Sequence, residues 1–378
     1  MITAHGAGRR RPSRVTLRDV ARLAGVSISV VSRELNADPV LRARDDTRQR
    51  IHDAARALDY TPSHAARALR LAKAGAVGLI VPDVTNPVFG DLIRGIEDAT
   101  EAAGLQLLIG RFERLRPGGH VLRELVGQGR VDGFLVQRSD EIDVREFTEI
   151  MRDKVPFVVV NSRGTSRGSA VLDDASGARL ATEHLLELGH RRIALIGGDV
   201  HSYTGRMRAQ GFLQALNAAG LRRRSTWLLH AGYTHQAGYA AMRQLCAGPG
   251  RRPTAVVVAN VVAAIGALVA VHELGLAVPD QISIVAIHDT WLADCCWPPL
   301  TTVKMPMYEL GREAVQLLSE RLSGGRPSDI VVSEPAPMLI RRASTAPPPR
   351  RVVRAGKAAD GSSRPAADAL PEPGRAPL

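Results

Sequence analysis

Aromatic residues and cysteine are scarce in this chain. Phe, Trp and Tyr make up 4% of its 378 residues, and there are three cysteines, Cys246, Cys295 and Cys296. Three cysteines cannot build a disulfide framework. With no second CxxC and no histidine pair they offer no zinc site, so they read as reduced packing residues and no metal is expected. Long apolar runs are also missing. The stretch Ala255–Val271 is broken by Asn260 and rich in small residues, too short and too weakly apolar for a membrane helix. Arg9 to Arg11 are followed by Pro12 to Asp19, where a secretory signal would need an apolar run. The expectation is a cytoplasmic protein with no membrane partner. No GxGxxG opens a helix after a strand, Gly197-Gly198 is only a glycine pair, and GxxxxGK[ST] is absent. No enzyme is expected, with no catalytic residue and no cofactor.

Charge is what the chain has in excess, and it is unevenly placed. The formal net charge is +12. Residues 1–73 hold 15 Lys/Arg against 7 Asp/Glu, residues 74–340 hold 27 against 28, and residues 341–378 hold 8 against 3. Two basic ends flank a neutral body of ordinary apolar content. Positive charge concentrated in one small N-terminal segment is the electrostatic footprint of a phosphate-backbone partner.

Residues 1–14 read as a flexible basic arm. Thr16 then caps a helix over Leu17 to Ala24, with Asp19 placed for a capping box and Leu17, Val20, Ala21 and Ala24 on one face. Gly25 stops that helix. Ser27 caps a second helix over Ile28 to Leu35, ended by Asn36. A third, Asp46 to Leu58, supplies Ile51, Ala54, Ala55 and Leu58 to a three-helix core. Two short helices joined by a glycine turn form a helix-turn-helix, whose second helix enters a major groove. Its leading face carries Ile28 and Ser29, with Arg33 one turn on. Arg can bond a guanine edge and Ile can pack on a thymine methyl. The alternative at this point is a helical hairpin with solvated charges. The local excess of positive charge favours DNA.

VTLRDVARLAGVSISVVSRELN, then TRQRI, then Tyr60-Thr61-Pro62-Ser63-His64-Ala65-Ala66-Arg67-Ala68-Leu69-Arg70 resemble the headpiece of lac repressor/gal repressor-type transcriptional regulators. The resemblance continues through VGLIVPDVTNPVF, VDGFLV, ATEHLLELGHRRIALIGG, RMRAQGFLQAL and LTTV, over residues 15–343. It implies base-reading roles for Ile28, Ser29 and Arg33, and phosphate contacts for Thr16, Ser32 and Asn36. It also implies a minor-groove hinge helix over residues 63–70, including Ser63, Ala66 and Arg70, with Leu69 as the wedge. The residue chemistry agrees, since small alanines let two helices pack in a narrow groove and Leu69 is an apolar wedge. Leu69 as a core leucine of a linker helix is the alternative. The headpiece departs from the usual pattern at Ile28, at Glu34 (commonly aliphatic), at Arg44 (commonly a capping serine, so that Asp45 is expected to cap instead), and in about two extra residues between Asn36 and Thr47.

From Gly75 short β-rich runs alternate with amphipathic helices. Strands are expected at Val77–Val81, Gln106–Ile109, Gly133–Val136, Phe157–Val160, Arg192–Ile196, Ala255–Val258 and Ile282–Ile287. Helices are expected at Phe89–Ala103, Ala175–Leu188, Arg206–Ala219, His235–Leu245, Val262–Leu274 and Met307–Leu322. Alternation means βαβ units and parallel sheets. The expected fold is an all-α helix-turn-helix headpiece (15–61), a hinge helix (62–73) and an α/β two-lobed periplasmic-binding-protein-like body (74–343). A Pro/Ala/Arg-rich disordered tail (344–378) follows.

Ligands of such bodies bind between the lobes at the carboxyl ends of the strands. The resemblance carries Asn86, Val88, Phe89, Asn161, Asp173, Thr204, Arg208, Tyr233, Asn260, His288 and Asp289 to that cleft as effector contacts. Each also has a structural alternative: Phe89 in the core, Asn260 in a turn, Asp289 as a cap. Asn260-Val261 and His288-Asp289 stand where Asn-Asp and Asp-Asp are usual, so the effector is expected to be unusual or bound weakly if it is a sugar. The implied protein is a ligand-responsive, sequence-specific repressor. It would act as a homodimer on pseudo-palindromic double-stranded operator DNA, burying helices such as Phe89–Ala103 between subunits, and answer to a small-molecule effector, a sugar for example. A transcriptional activator or an effector-independent regulator stays open. A secreted sugar carrier is disfavoured by the headpiece.

Overall fold

The computed structural model describes residues 15–36, 38, 40–61, 73–111, 125–137, 155–163, 168–222, 224–247, 252–326 and 328–349. The expected arm, hinge helix and most of the expected tail lie outside them, and with the hinge Ser63, Ala66, Leu69 and Arg70.

Three helices open the chain: α1 (Leu17–Ala24), α2 (Ile28–Leu35) and α3 (Asp45–Ala57). Val20, Val31 and Ile51 are each fully buried where the three meet. Gly25 turns the chain between α1 and α2 at φ +67°, a left-handed conformation that a side chain would resist. The Asp19 carboxylate accepts from both the backbone N–H (3.0 Å) and the hydroxyl (2.7 Å) of Thr16, closing the start of α1. Arg44, not Asp45, occupies the N-cap of α3 and makes no side-chain cap bond; Asp45 is already the first helical residue.

Two six-stranded sheets follow. The first comprises β1 (Ala76–Val81), β2 (Gln106–Arg111), β3 (Gly133–Gln137), β4 (Phe157–Val160), β5 (Ser169–Leu172) and β11 (Asp329–Val332), in the order β11-β5-β4-β3-β1-β2 and wholly parallel. The second comprises β6 (Ile193–Gly197), β7 (Leu228–His230), β8 (Ala255–Val258), β9 (Ser283–Ile287), β10 (Thr301–Lys304) and β12 (Met338–Ile340), in the order β12-β10-β9-β8-β6-β7. It is parallel except that β12 runs against β10. Strands covered on both faces become continuous Val/Ile/Ala runs, and β1, β8 and β9 are buried at every residue.

The helices are α4 (Gly90–Ala102), α5 (Asp174–Glu187), α6 (Tyr203–Ala218), α7 (His235–Ala247), α8 (Val261–Glu273), the short α9 (Leu292–Cys295) and α10 (Met307–Leu322). Their packing shows where the chain changes lobes. After β5 the chain leaves the first sheet, and α5 packs on α6 and on β8, β9 and β10 of the second. After β10 it returns, and α10 packs on α4 and on β3, β4 and β5. It crosses again between β11 and β12. One glycine sets a distance that the site needs: a Cβ on Gly211 of α6 would lie 2.0 Å from the Ala175 carbonyl oxygen of α5, so only glycine lets these helices approach so closely.

Five strands were not foreseen: β5, β7, β10, β11 and β12. The start of the expected tail also belongs to the body. Ser344 is fully buried, its hydroxyl donating to the Ile284 carbonyl (2.6 Å) and accepting from the Thr301 N–H (2.8 Å). Thr345 bonds His184 Nε2 at 2.9 Å, and the Ala346 carbonyl meets His190 Nε2 at 2.8 Å.

Candidate functional site

The headpiece presents one face of α2. Ser27 caps it by accepting from the Val30 N–H, and its hydroxyl lies 2.9 Å from that of Ser29. Val31 turns inward, fully buried, while Ile28 stays 43% exposed and the Arg33 side chain 56% exposed. The nearest charge to Arg33 is Asp38, at 3.9 Å, too loose to hold the guanidinium. Ser32 is half-buried, and Asn36 donates to its carbonyl at 2.5 Å. Thr16 is engaged with Asp19 as described. Ile28, Ser29 and Arg33 thus point outward together from a rigid helix.

The unusual Glu34 has a structural explanation. Its side chain is only 7% exposed and lies 3.4 Å from Arg48 and 3.3 Å from His52 of α3. Arg48 also donates to the carbonyls of Leu41 (3.3 Å) and Ala43 (3.4 Å). One guanidinium thereby ties the recognition helix to the lengthened segment before α3.

In the body, the carboxyl ends of the strands gather a second set of polar groups. Arg208 of α6 is 2% exposed and lies at its centre. Its Nε donates to Asp174 Oδ1 at 2.7 Å, its Nη1 to the Ala259 carbonyl, and its Nη2 lies 2.8 Å from His288 Nε2. The guanidinium also lies 5.8 Å from the centre of the Tyr233 ring. The Tyr233 hydroxyl bonds Ser202 (2.9 Å) and Thr204 (2.6 Å), and burial pushes its phenol upward. Asn260 caps α8 by accepting from the Ala263 N–H and donates to the Tyr233 carbonyl at 3.0 Å. Burial raises the Asp174 carboxyl against the opposing pull of Arg208. Burial first, and the Arg208 charge second, hold His288 well below the usual imidazole range.

Thr204, Arg208, Tyr233, Asn260 and His288 therefore lie together in the structure. Asn161 stands at the end of β4 in the left-handed region (φ 56°), with its buried Oδ1 unbonded. Other expected contacts are committed elsewhere. Asp173 caps α5, accepting from the Ser176 N–H at 3.0 Å and hydroxyl at 2.6 Å. Asp289 accepts from Thr302 (2.5 Å) and Arg342 (2.7 Å). Asn86 caps the turn Pro87–Phe89, while Val88 and Phe89 join the core.

Sequence reasoning missed Asp174, Ser202, Gln137, Arg163, Tyr203 and Thr290. Ser202 carried a signal, since its side chain caps α6. Arg163, after β4, lies 5.7 Å from the ring of Tyr203 at the start of α6, across the two lobes. Among the described residues of the body, six buried side-chain atoms have no hydrogen-bond partner: Gln137 Oε1, Asn161 Oδ1, Arg163 Nε, Asp174 Oδ2, His288 Nδ1 and Thr290 Oγ1. Every one follows or ends a strand on the carboxyl side, where open α/β sheets bind ligands. Buried polar groups are normally bonded, so a ring of orphans marks a site built for another molecule.

Among the described residues no group of three His, Cys, Asp or Glu could hold a metal. No described helix is long and apolar enough to cross a membrane.

Comparison with known proteins agrees with both halves. Residues 16–63 match the model of bacterial regulatory proteins of the lacI family, and residues 182–345 match a periplasmic binding protein-like domain. The HTH-type transcriptional repressor PurR of Erwinia tasmaniensis is 36% identical over 345 residues, covering 90% of this chain and 99% of that one. The chain belongs to the LacI family of transcriptional regulators. A LacI family regulator from Mycobacterium smegmatis is 42% identical over 72% of this chain and 99% of its own, with a TM-score of 0.67. The lac repressor dimer bound to operator and the anti-inducer ONPF is 27% identical over 88% of this chain and all of its own, with a TM-score of 0.74. This LacI family chain has the DNA-binding domain and ligand-responsive body of a transcriptional repressor, and these relatives are transcriptional regulators.

Proposed function

We propose that the chain works as a homodimeric repressor. Its α2 helices would read the two halves of a pseudo-palindromic operator, and a small polar molecule, such as a sugar, would occupy the ring around Arg208 and set operator affinity. The observation that carries the effector half is the set of six unpartnered buried polar atoms at the strand ends. The outward set of Ile28, Ser29 and Arg33 supports the DNA half. A single headpiece offers few phosphate contacts, so specific affinity calls for two. Ile28, Ser29 and Arg33 would meet base edges. Thr16 and Asn36, which close the ends of α1 and α2, and Ser32 of α2, whose carbonyl accepts from Asn36, would meet phosphates. Thr204, Arg208, Tyr233 and Asn260 would form the floor of the ligand site, with Asn161, Asp174 and His288 bonding the ligand. Of the remaining expected contacts, Asn86, Val88, Phe89, Asp173 and Asp289 would shape the cleft through the bonds and packing they already make.

The test uses the full chain. Genomic fragments are selected for binding, and fluorescence anisotropy on the selected duplex is followed while uncharged metabolites are added. Saturable specific binding with one dimer per site, released or tightened by at least one compound, is the expected result. Equal affinity for selected and random duplex would overturn the DNA half. Compounds that leave both Tm and DNA affinity unmoved would overturn the effector half.

A further inference from the structure

The surroundings of His288 decide where its hydrogen lies. Every nitrogen of a guanidinium donates and none accepts. His288 Nε2, 2.8 Å from Arg208 Nη2, must therefore hold a lone pair. The ring is neutral, held so by burial and by the adjacent positive charge. Its one N–H hydrogen is then on Nδ1. That atom is buried and has no partner. His288 follows β9 with its backbone in the left-handed region at φ 65°, and the ring is held by burial and by its contact with Arg208. His288 is 4% exposed.

Most of Arg208's donors are spent inside the protein, its Nη2 also lying 2.7 Å from Asp174 Oδ1. All three of its nitrogens are engaged inside the protein, on Asp174, Ala259 and His288. Its work is to set the state of its neighbours. It takes one oxygen of Asp174 and leaves Oδ2 as an acceptor, and it takes one nitrogen of His288 and leaves Nδ1–H as a donor. Asn161 Oδ1 and Gln137 Oε1 add two more vacant acceptors. A buried donor that meets another donor costs far more than one that is satisfied.

We propose that His288 determines effector specificity by presenting Nδ1–H as an obligate hydrogen-bond donor, selecting ligands that place an acceptor against it. The acceptor is a carbonyl, a ring oxygen or an unprotonated ring nitrogen, and the same ligand offers O–H or N–H groups to Asp174, Asn161 and Gln137. Cyclic sugars and nitrogen heterocycles share this chemistry. The inference rests on the reading of the ring around Arg208 as the effector site.

The experiment has two readouts on the full chain. In protein labelled with ¹⁵N-histidine, a two-bond proton–nitrogen correlation assigns the His288 tautomer, the His288→Asn variant identifying its signals. The expected state is neutral with hydrogen on Nδ1. An imidazolium at pH 7, or hydrogen on Nε2, overturns the proposal. Separately, thermal shift and calorimetry are run with ribose and cellobiose in one arm and uracil and adenine in the other; the arm that binds wild type identifies the source of the acceptor. His288→Asn can accept from Arg208 and still donate through its amide, and should hold affinity for the binding probe within about tenfold. His288→Asp also pairs with Arg208, so it keeps the fold, but it can only accept. It should lose roughly 100-fold in affinity while the unliganded Tm stays close to wild type. Equal affinity in His288→Asp and wild type overturns the specificity role while leaving the effector site standing. If no probe in either arm shifts the wild-type Tm, the site reading itself falls, and the proposal with it.

Discussion

Arg208 and Asp174 lie 34 residues apart in the chain and 2.7 Å apart in space, their side chains 2% and 0% exposed. Two helices are brought together to make this pair. Gly211, one turn beyond Arg208 on α6, lets the Ala175 backbone approach until the neighbouring Asp174 reaches the guanidinium. A charge pair so deep is held by its hydrogen bonds, and the removal of one partner leaves the other uncompensated. Arg208→Ala should therefore cost about 3–5 kcal/mol in stability of the body, beyond any loss of effector response. Urea unfolding of the full chain measures it. A loss below about 1 kcal/mol would mean that Asp174 takes up a proton freely and that the pair does not organise the site.

Glu34 and Arg48 form the corresponding link in the headpiece. Glu34 is buried while Arg48 is 44% exposed, so solvent weakens the pair, and its main effect is positional. Arg48→Met would leave Glu34 with His52 as its remaining partner and release the carbonyls of Leu41 and Ala43. The expected cost is about 1–2 kcal/mol after discounting for exposure, with faster hydrogen exchange in peptides covering residues 40–48. Glu34→Leu, which replaces the poorly paired buried charge by an apolar side chain, should restore the melting temperature in the double variant. Unchanged exchange in Arg48→Met would show that the segment is held by other means.

For base reading, Arg33 is the most exposed to test. It sits one turn beyond Ser29 on the same face, without a firm partner. Arg33→Ala should weaken the selected operator by about 1–3 kcal/mol and relax preference at one base pair. Competition against random duplex separates the roles. Equal weakening on both would assign Arg33 to the phosphate backbone.

Much of this architecture was legible because local chemistry reported it. Thr16, Gly25 and Ser27 mark the ends of helices within a few residues, and β1, β8 and β9 announce themselves by unbroken apolar runs. What stayed hidden depends on partners distant in sequence. Asp173 and Asp174 are adjacent acids, and no local pattern tells which one caps α5 and which turns inward to a residue 34 positions away. β7 and β12 are three residues long, too short to show a period. Ser344 to Ala346 lie beside a proline run that reads as tail, yet they are held by Ile284, His190 and Ser283 on the far side of the lobe. The headpiece departures at Glu34 and in the segment before α3 looked like separate changes in sequence. Arg48 shows them to be parts of one arrangement.

Acid should loosen the second lobe before the first, because its buried histidines are neutral. Burial lowers His184 and His190 below their ordinary value of 6.5, with the Arg341 charge adding to the effect at His184 and the Ala346 carbonyl opposing it at His190; His288 is lowered further. In the unfolded chain each would take up a proton near its ordinary value. Below that pH the unfolded state binds more protons than the folded state, so stability falls as pH falls and is regained as pH rises through about 6.5. Two of these rings hold the segment that closes the lobe, His184 on Thr345 and His190 on Thr254 and Ala346. Calorimetry between pH 7.5 and 5 should show a falling Tm, and hydrogen exchange should open first in residues 338–346. His190→Gln keeps a side-chain donor and acceptor but does not titrate, and should make the pH profile shallower even if its Tm at pH 7.5 is lower. A Tm that is level from pH 7.5 to 5 in wild type would show that the three rings take up protons in the folded state as readily as in the unfolded one.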